Sequence, residues 1–350
     1  MLGLNYVLGL LSCDMGIDLG TANTLVCVRG QGIVLNEPSV VAVRRGTNEV
    51  LMNGMAVGHA AKEMLGKTPT GIEAIRPLKN GVIADFDITE SMLGYFITKV
   101  HNRRFGVRPR VVIGVPVGIT TVEKQAVYNS AERAGARQVF LIEEPRAAGL
   151  GAGLPIQEPN AHMIVDVGGG TADIAVTSLA EIVASRAVKI AGDAFDDAIV
   201  EHLKKTHNLH IGHLTAERIK IQIGSVVPLE EEKHLEVKGR DVSVGRPRSC
   251  IVSSGEIREI LVKQVRMICK AIIEVLEETP PELSADLVDS GMVLSGGGAM
   301  LRGLDLFIEK EVGLPTRMSD DPMTDVARGT AIFLEHLDRY SSILESSDSL

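Results

Sequence analysis

The sequence predicts an α/β fold in which two related domains close on one ligand from opposite sides. Strands and helices alternate, as in "RVVIGVPVG" followed by "TTVEKQAVYNSAERAGA", which is typical of α/β proteins. The segments "MGIDLGTANTLVCV" and "HMIVDVGGGTADIAV" repeat one plan: an apolar strand, Asp-x-Gly, hydroxyl side chains and a second apolar strand. One such loop in each half of the chain indicates two domains that share a ligand.

The second loop runs from Asp166 to Asp173 between two short, β-branched strands, so it is predicted to be a hairpin. No helix opens after its glycines and no Lys-Ser or Lys-Thr follows, which excludes a dinucleotide fingerprint and a P-loop. Successive N–H groups of Gly168, Gly169 and Gly170 can bind an anion, and Thr171 adds a hydroxyl donor. Taken alone, the loop fits a tight turn without a ligand equally well.

The first loop strengthens the anion interpretation. Asp18 precedes Asp166 by 148 positions and stands at the same place in the repeated plan, before Gly20 and Thr21. The two aspartates are therefore expected to face each other across the ligand. Two carboxylates beside a polyphosphate suit Mg²⁺, which prefers oxygen ligands and keeps several waters.

A third glycine-rich loop follows the strand in "MVLSGGGAMLRGLDLFIEK". We expect its glycines to open an amphipathic helix directly, with Leu301, Leu304, Phe307 and Ile308 on one face. The N–H groups and the positive end of that helix could then meet a phosphate or a nucleoside.

Composition restricts the class of protein further. A chain of 350 residues is long enough for two domains, and 45% hydrophobic residues indicate a globular protein. The net charge of −9 argues against nucleic acid as a partner. Cys13, Cys27, Cys250 and Cys269 form no CxxC pair, so they are interpreted as reduced core thiols of a cytosolic protein.

The N-terminal segment "MLGLNYVLGLLSC" has no charge, is too short to span a bilayer and lacks the basic start of a signal peptide. One interpretation is an interfacial membrane anchor; the alternative is a terminal strand or helix packed on the core. The anchor's apolar side chains would be Leu2, Leu4, Val7, Leu8, Leu10 and Leu11.

Three local features complete the prediction. His207, His210 and His213 in "HNLHIGH" are expected to be solvated loop histidines rather than a metal site, because Gly212 breaks the helix that would align them. Thr215 is expected to cap a helix over "TAERIKIQIGS". The tail "YSSILESSDSL" is expected to fray.

Several longer blocks resemble the MreB family, the bacterial actin homologues of the actin, sugar-kinase and heat-shock-chaperone ATPase superfamily. They include "GIVLNEPSVVAV", "AIRPLKNGVIADF", "VFLIEEPRAAGLGAGLP" and "TPPELSADLVDSGMVLSGGGAMLRGLD", besides the loops quoted above. The resemblance extends from about Met15 to Leu337.

The resemblance implies an actin-like ATPase fold with the nucleotide in a cleft between two domains, each with a smaller subdomain. Its expected boundaries are residues 1–13 for the apolar anchor segment and 14–147 plus 322–350 for domain I, whose small subdomain covers about 33–74. Domain II would cover 148–321, with a small subdomain at about 193–245.

The resemblance also implies roles for individual residues. Asp18 and Asp166 would hold Mg²⁺, largely through water, and Glu144 would orient the attacking water, with Asp166 and Thr171 beside it. Glu143 is the weaker candidate for that role, and a salt-bridged surface position is the alternative for Glu144. The nucleotide would contact Gly20, Thr21, Ala22, Asn23, Gly168, Gly169, Gly170, Thr171, Gly192, Asp193, Glu217, Arg218, Ile219, Lys220, Gly296, Gly297, Gly298, Ala299 and Met300.

The function implied is that of a filament protein that determines rod cell shape by organising wall synthesis, with slow Mg²⁺-dependent hydrolysis of ATP or GTP. The implied partners are further copies of the chain in paired linear protofilaments, the inner face of the cytoplasmic membrane, and transmembrane shape-determining and wall-synthesis proteins. Arg103, Arg104 and Phe105 form a second membrane-facing candidate or an ordinary solvated loop. The alternatives are another bacterial actin, for plasmid segregation or organelle positioning, and a sugar-kinase-type phosphotransferase.

Overall fold

The computed structural model describes residues 13–101, 108–340 and 345–346. The strands in this part of the chain are, in order, β1 Met15–Leu19, β2 Asn23–Val28, β3 Gly32–Pro38, β4 Val41–Arg44, β5 Glu49–Val50, β6 Ile72–Ile75, β7 Leu78–Lys79, β8 Val82–Ile83, β9 Arg110–Val115, β10 Gln138–Glu143, β11 His162–Val167, β12 Ala172–Ser178, β13 Glu181–Val188, β14 Leu209–His210, β15 His234–Asp241, β16 Pro247–Ser253, β17 Met292–Ser295, β18 Thr316–Met318 and β19 Glu345–Ser346.

Helices alternate with these strands, as the sequence pattern predicted. They are α1 Leu51–Gly54, α2 His59–Lys62, α3 Phe86–His101, α4 Thr121–Arg133, α5 Glu144–Gly151, α6 Gly192–Thr206, α7 His213–Ile223, α8 Ser254–Glu278, α9 Pro281–Ser290, α10 Leu304–Val312, α11 Asp325–Glu335 and α12 Leu337–Tyr340, with a 3₁₀ turn at Gly297–Met300.

Two large sheets share one strand order. The first runs β3-β2-β1-β9-β10, extended at its far edge by β19, and the second runs β13-β12-β11-β17-β18. In both, three antiparallel strands are followed by two parallel ones. The two predicted hairpins are therefore real and equivalent: β1 turns into β2 in one sheet, and β11 turns into β12 in the other.

Smaller sheets lie beside the large ones. β4 pairs with β5 and β6, and β15 pairs with β14 and β16. β15 and β16 form an antiparallel hairpin. The proposed domain boundaries stay a prediction.

Two helices lie between the large sheets and bring the halves together. Side chains of both sheets share one core with α5 and α11, including Val112 from the first sheet and Ile164 from the second. The helices cross closely, because a Cβ on Gly151 would lie 1.9 Å from the Asp325 carbonyl oxygen. This contact holds the end of α5 against the start of α11, and Glu144 stands at the other end of α5, in the wall of the cavity between the sheets.

Three local predictions need correction. The helix after the third glycine loop begins at Leu304, because Gly297–Met300 winds as a 3₁₀ turn and Leu301 adopts an extended backbone. Thr215 lies inside α7, whose N-cap is Gly212. Two residues of the tail pair as β19 with β10, so that part of the tail is not frayed.

Other predictions have mixed outcomes. Cys27 and Cys269 are buried free thiols as expected, whereas Cys13 and Cys250 are only half-buried. The expected anchor, residues 2–11, and Phe105 lie outside the described residues. Within the described part, no helix is both long enough and apolar enough to cross a membrane.

Candidate functional site

A cavity of about 500 Å³ lies between the two large sheets, where the three glycine-rich loops meet. Most of the residues assigned from the sequence line it. They are Asp18, Gly20, Thr21, Ala22, Asn23, Glu144, Asp166, Gly168, Gly169, Gly170, Thr171, Gly192, Asp193, Glu217, Lys220, Gly296, Gly297, Gly298 and Met300.

The two hairpin loops touch each other across this cavity. A Cβ on Gly169 would lie 2.6 Å from the Cβ of Ala22, and one on Gly170 would lie 2.7 Å from Thr21 Oγ1. Thr21 Oγ1 also accepts a hydrogen bond from the Gly81 N–H at 2.9 Å. The close approach of the opposite loop therefore requires glycine at positions 169 and 170, whether or not a ligand is bound.

The third loop closes the side of the cavity next to the second sheet. Gly296 has φ of +82°, and a Cβ there would lie 2.3 Å from the carbonyl oxygen of Val167. Glycine is thus needed at this turn. Ala299 faces the hydrophobic core instead of the cavity, which is the geometric consequence of the 3₁₀ turn.

Carboxyl groups concentrate at the base of the cavity. Glu144 and Asp166 are 8% and 5% exposed, and the half-buried Asp18 also lines the cavity. Burial raises the pKa of Asp18 to about 7. It also raises the pKa of Asp166 well above its ordinary value, and the charges of Asp18 and Asp173 add to that effect. The pKa of Asp173 is raised by burial to about 6.

The cations around the cavity are engaged elsewhere. Arg76 binds Asp193 at 2.7 Å, and Arg302 donates to the Gly224 carbonyl oxygen at 3.0 Å. Lys220 Nζ lies 2.9 Å from both Asp196 Oδ1 and the Gly192 carbonyl oxygen.

The carboxyl cluster is therefore left to another cation. Asp166 Oδ1 is buried without a hydrogen-bond partner among the described residues. Repulsion between these carboxylates raises the pKa values of Asp166 and Glu144 further. A divalent cation that prefers oxygen ligands would give Asp166 Oδ1 a partner and would reduce the repulsion between the carboxylates. The residues present therefore fit Mg²⁺.

Glu143 and Glu144 are adjacent in the sequence but lie in different surroundings, because α5 begins between them. Glu144 is its first residue, lies in the cavity wall and has a pKa raised by burial, then by the charges of Asp173, Asp166 and Asp18. Glu143 is 27% exposed and lies 3.4 Å from Arg146. The alternative of a salt-bridged surface acid is therefore wrong for Glu144 and describes Glu143.

One helix face supplies the outer wall. Glu217 and Lys220 are three positions apart in α7, so they lie on one side of it and both line the cavity. Arg218 is exposed and Ile219 is in the hydrophobic core, and neither lines the cavity. Their helical positions point them away from it.

Several lining residues were not assigned from the sequence. Arg76 and Gly81 belong to the quoted block "AIRPLKNGVIADF", which was the only signal for them. Arg302 belongs to the quoted block that contains the third glycine loop, whereas Met323 lies outside the quoted blocks and carried no local signal. The remaining additions are Leu25, Phe195, Asp196, Ile221, Gly224, Leu301, Pro322 and Val326.

Comparison with known proteins identifies the family. The family model described as "MreB/Mbl protein" matches residues 12–342. The chain belongs to the MreB/Mbl family. It is 51% identical over 341 residues to the cell shape-determining protein MreB of Escherichia coli K12. The aligned region covers 97% of this chain and 98% of that protein. The cell shape-determining protein Mbl of Bacillus subtilis 168 is 48% identical over 326 residues, or 93% of this chain and 97% of that protein.

Solved structures agree. The crystal structure of MreB5 of Spiroplasma citri bound to ADP has a TM-score of 0.88 and 38% identity, covering 95% of this chain and 98% of that one. A second structure of that protein, bound to AMPPNP, gives the same values. The MamK double helical filament, at a TM-score of 0.77 and 23% identity over 92% of this chain and 98% of that one, supports the fold alone. The actin-like ATPase fold and the resemblance to MreB proteins are thereby confirmed.

Proposed function

We propose that this member of the MreB/Mbl family is an actin-like filament protein that determines cell shape and binds ATP between its two large sheets. The proposal rests on one observation: both Asp-x-Gly hairpins, the third glycine loop and the buried Glu144 line the same cavity. The names of its relatives and the ADP and AMPPNP complexes of MreB5 support the same conclusion.

The chemistry of hydrolysis follows from the positions of the lining residues. Backbone N–H groups of the two hairpin loops bind phosphate oxygens, and Thr171 adds a hydroxyl donor. Glu144 accepts a hydrogen bond from the attacking water and directs its lone pair towards the γ-phosphorus. Asp18 and Asp166 would hold Mg²⁺, which would supply positive charge to offset that of the phosphates.

Hydrolysis is expected to be slow before assembly. Phosphoryl-transfer sites accelerate the reaction largely by positioning the reacting groups. Here the two loops that bind the phosphates belong to different sheets. Contact with the next subunit of a filament would fix their relative positions. We therefore propose weak ATPase activity that is coupled to polymerisation, with GTP as the alternative substrate.

The finer parts of the proposal concern location. We place the filament at the inner face of the cytoplasmic membrane, attached by the apolar side chains of residues 2–11 and assisted by Phe105. Its partners there would be transmembrane shape-determining and wall-synthesis proteins, which its paired protofilaments would organise. The uncharged apolar sequence supports membrane attachment, because such side chains gain free energy on leaving water.

The deciding experiment is sedimentation of the full-length protein with ATP, GTP or no nucleotide, each with and without liposomes, alongside measurement of phosphate release. We expect ATP to increase the pelleted fraction, and liposomes to co-sediment with polymer. Phosphate release should follow polymer formation. Phosphate transfer to an added sugar, with no pelleting under any nucleotide, would contradict the filament function and favour the phosphotransferase alternative.

A further inference from the structure

Two histidines and a glutamate converge at a place remote from the nucleotide cavity. His202 lies in α6, His207 follows the end of that helix, and Glu256 lies in the first turn of α8. His202 Nε2 and His207 Nε2 lie 2.6 and 2.7 Å from the same atom, Glu256 Oε1. None of the three lines the nucleotide cavity. The expectation that His207 is a solvated loop histidine is therefore wrong.

The distances leave room for a metal ion after a small movement. The three potential ligand atoms all lie within 4.8 Å of one another. Bonds of about 2.0–2.1 Å at tetrahedral angles would separate ligand atoms by about 3.3–3.4 Å. The contacts of 2.6 and 2.7 Å must then open by less than about 1 Å, which rotation of the side chains can supply.

We propose that His202, His207 and Glu256 bind a divalent transition-metal ion of borderline softness, such as Zn²⁺. Two imidazoles and one carboxylate are a donor set suited to Zn²⁺ and poorly suited to Mg²⁺, which prefers oxygen. The side chains of His202, His207 and Glu256 are 26%, 24% and 23% exposed. The fourth position therefore opens towards solvent, and a water molecule can occupy it.

The surroundings favour a charged carboxylate in this place. Glu256 Oε1 faces the ring nitrogens of both histidines. The start of α8 adds the positive end of a long helix beside the carboxylate. A bound ion would join the end of α6 to the start of α8, fixing the two helices relative to each other.

The test measures Zn²⁺ bound to the nucleotide-free full-length protein, by equilibrium dialysis with elemental analysis and by calorimetry. The variant His202→Gln with His207→Gln keeps side chains that can donate to Glu256 but removes both imidazoles. We expect it to bind one equivalent less than the unaltered protein, or to lose at least about 100-fold in affinity, in line with removal of direct ligands.

Matched controls separate this site from others. His210→Gln changes an exposed histidine of the same segment, and Cys250→Ala removes a nearby thiol whose pKa is raised by burial and by the charge of Glu256. Both control variants should bind as many equivalents of Zn²⁺ as the unaltered protein. Zn²⁺ bound at the carboxyl cluster of the cavity is common to all variants, so the difference excludes it. Circular dichroism of the metal-free proteins checks folding. Equal Zn²⁺ binding by the unaltered protein and a folded double variant would overturn the proposal.

Discussion

Lys62 Nζ lies 3.1 Å from Glu217 Oε1, so an ion pair bridges the mouth of the nucleotide cleft. Lys62 ends α2, beside the small sheet of β4, β5 and β6, and Glu217 lies in α7 on the opposite side. A second pair, Arg76 with Asp193 at 2.7 Å, crosses the same gap. The cleft is thus held partly closed by charge as well as by packing.

This first pair predicts a modest and salt-dependent coupling. Both side chains are about 30% exposed, at 31% and 29%, so solvent screens them and their interaction is worth roughly 0.2–1 kcal/mol. A double-mutant cycle with Lys62→Ala and Glu217→Ala, read in ATP affinity, should show coupling of that size at low salt. It should shrink at high ionic strength. Strict additivity at low salt would show that the pair does not couple to the ligand.

The position of Glu144 predicts a selective loss of hydrolysis. Glu144→Ala removes the carboxylate that directs water, so phosphate release should fall by roughly 100-fold or more while ATP still binds. Glu143→Ala is the matched control, because it removes the neighbouring carboxylate outside the cavity wall. Single-turnover hydrolysis and nucleotide affinity are measured together. Unchanged hydrolysis in the Glu144 variant would remove this residue from the mechanism.

Asp166 predicts the metal dependence of binding. Asp166→Asn removes one negative charge beside the phosphates and an oxygen suited to Mg²⁺ or its water. ATP affinity should fall in Mg²⁺ but change much less in excess EDTA. The comparison of the four affinities, for two proteins in two conditions, isolates the metal contribution. Equal changes in both conditions would mean that Asp166 acts on the nucleotide and not through Mg²⁺.

The carboxyl cluster predicts an unusual pH dependence when neither metal nor nucleotide is present. The pKa of Asp18 is raised from 3.8 to about 7, so folding favours its protonated form. Its contribution to the free energy of unfolding is complete below pH 3.8 and is lost as pH rises through about 7.

Asp18→Asn abolishes that loss, because the amide cannot ionise. The variant should therefore gain stability relative to the unaltered protein across the window from about pH 4 to 7, by up to about 1.4 kcal/mol per pH unit. Denaturant unfolding in EDTA at several pH values measures the difference. A difference that stays constant across this window would contradict the raised pKa.

The apolar N-terminal segment predicts membrane binding by the polymer. Fully burying a Leu or Val side chain is worth roughly 1.5–3 kcal/mol, and residues 2–11 contain six of them. Polymerisation holds neighbouring segments close to the surface once one is inserted. Protein lacking residues 1–11 should hydrolyse ATP yet co-sediment with liposomes far less. Little dependence on salt is expected, since no Lys or Arg precedes Arg29. Equal co-sedimentation would return the segment to core packing.

Features that are encoded by neighbouring residues could be predicted from the sequence. Each hairpin is encoded by two short apolar runs around a glycine-rich turn, and both hairpins form with the expected loops facing each other. The role of Glu144 is implied by the resemblance of "VFLIEEPRAAGLGAGLP" to the MreB family, and the burial of its side chain is compatible with that role. Repetition of Asp18 and Asp166 in the two halves carried the inference that one ligand lies between them.

Failures arose where tertiary contacts override local preference. Nothing in "SGGGAMLRG" distinguishes an immediate α-helix from the 3₁₀ turn, which packs Ala299 into the core. The local sequence around His207 predicts a solvated loop, because its partner, Glu256, lies 49 positions away. Met323 lies outside the three glycine-rich loops and enters the cavity only after the chain has folded, so no local window of sequence could assign it.

The matching strand order makes the two large sheets structural counterparts, whereas a nucleotide between them has no matching halves. Asp18 and Asp166 are each the penultimate residue of the central strand, and are thus counterparts. Opposite Asp18 stands Leu25, whereas opposite Asp166 stands the ionisable Asp173. A nucleotide has a base at one end and phosphates at the other, so it cannot treat the counterparts alike. The difference between Leu25 and Asp173 gives the cleft two unlike sides, which suits a ligand with two unlike ends.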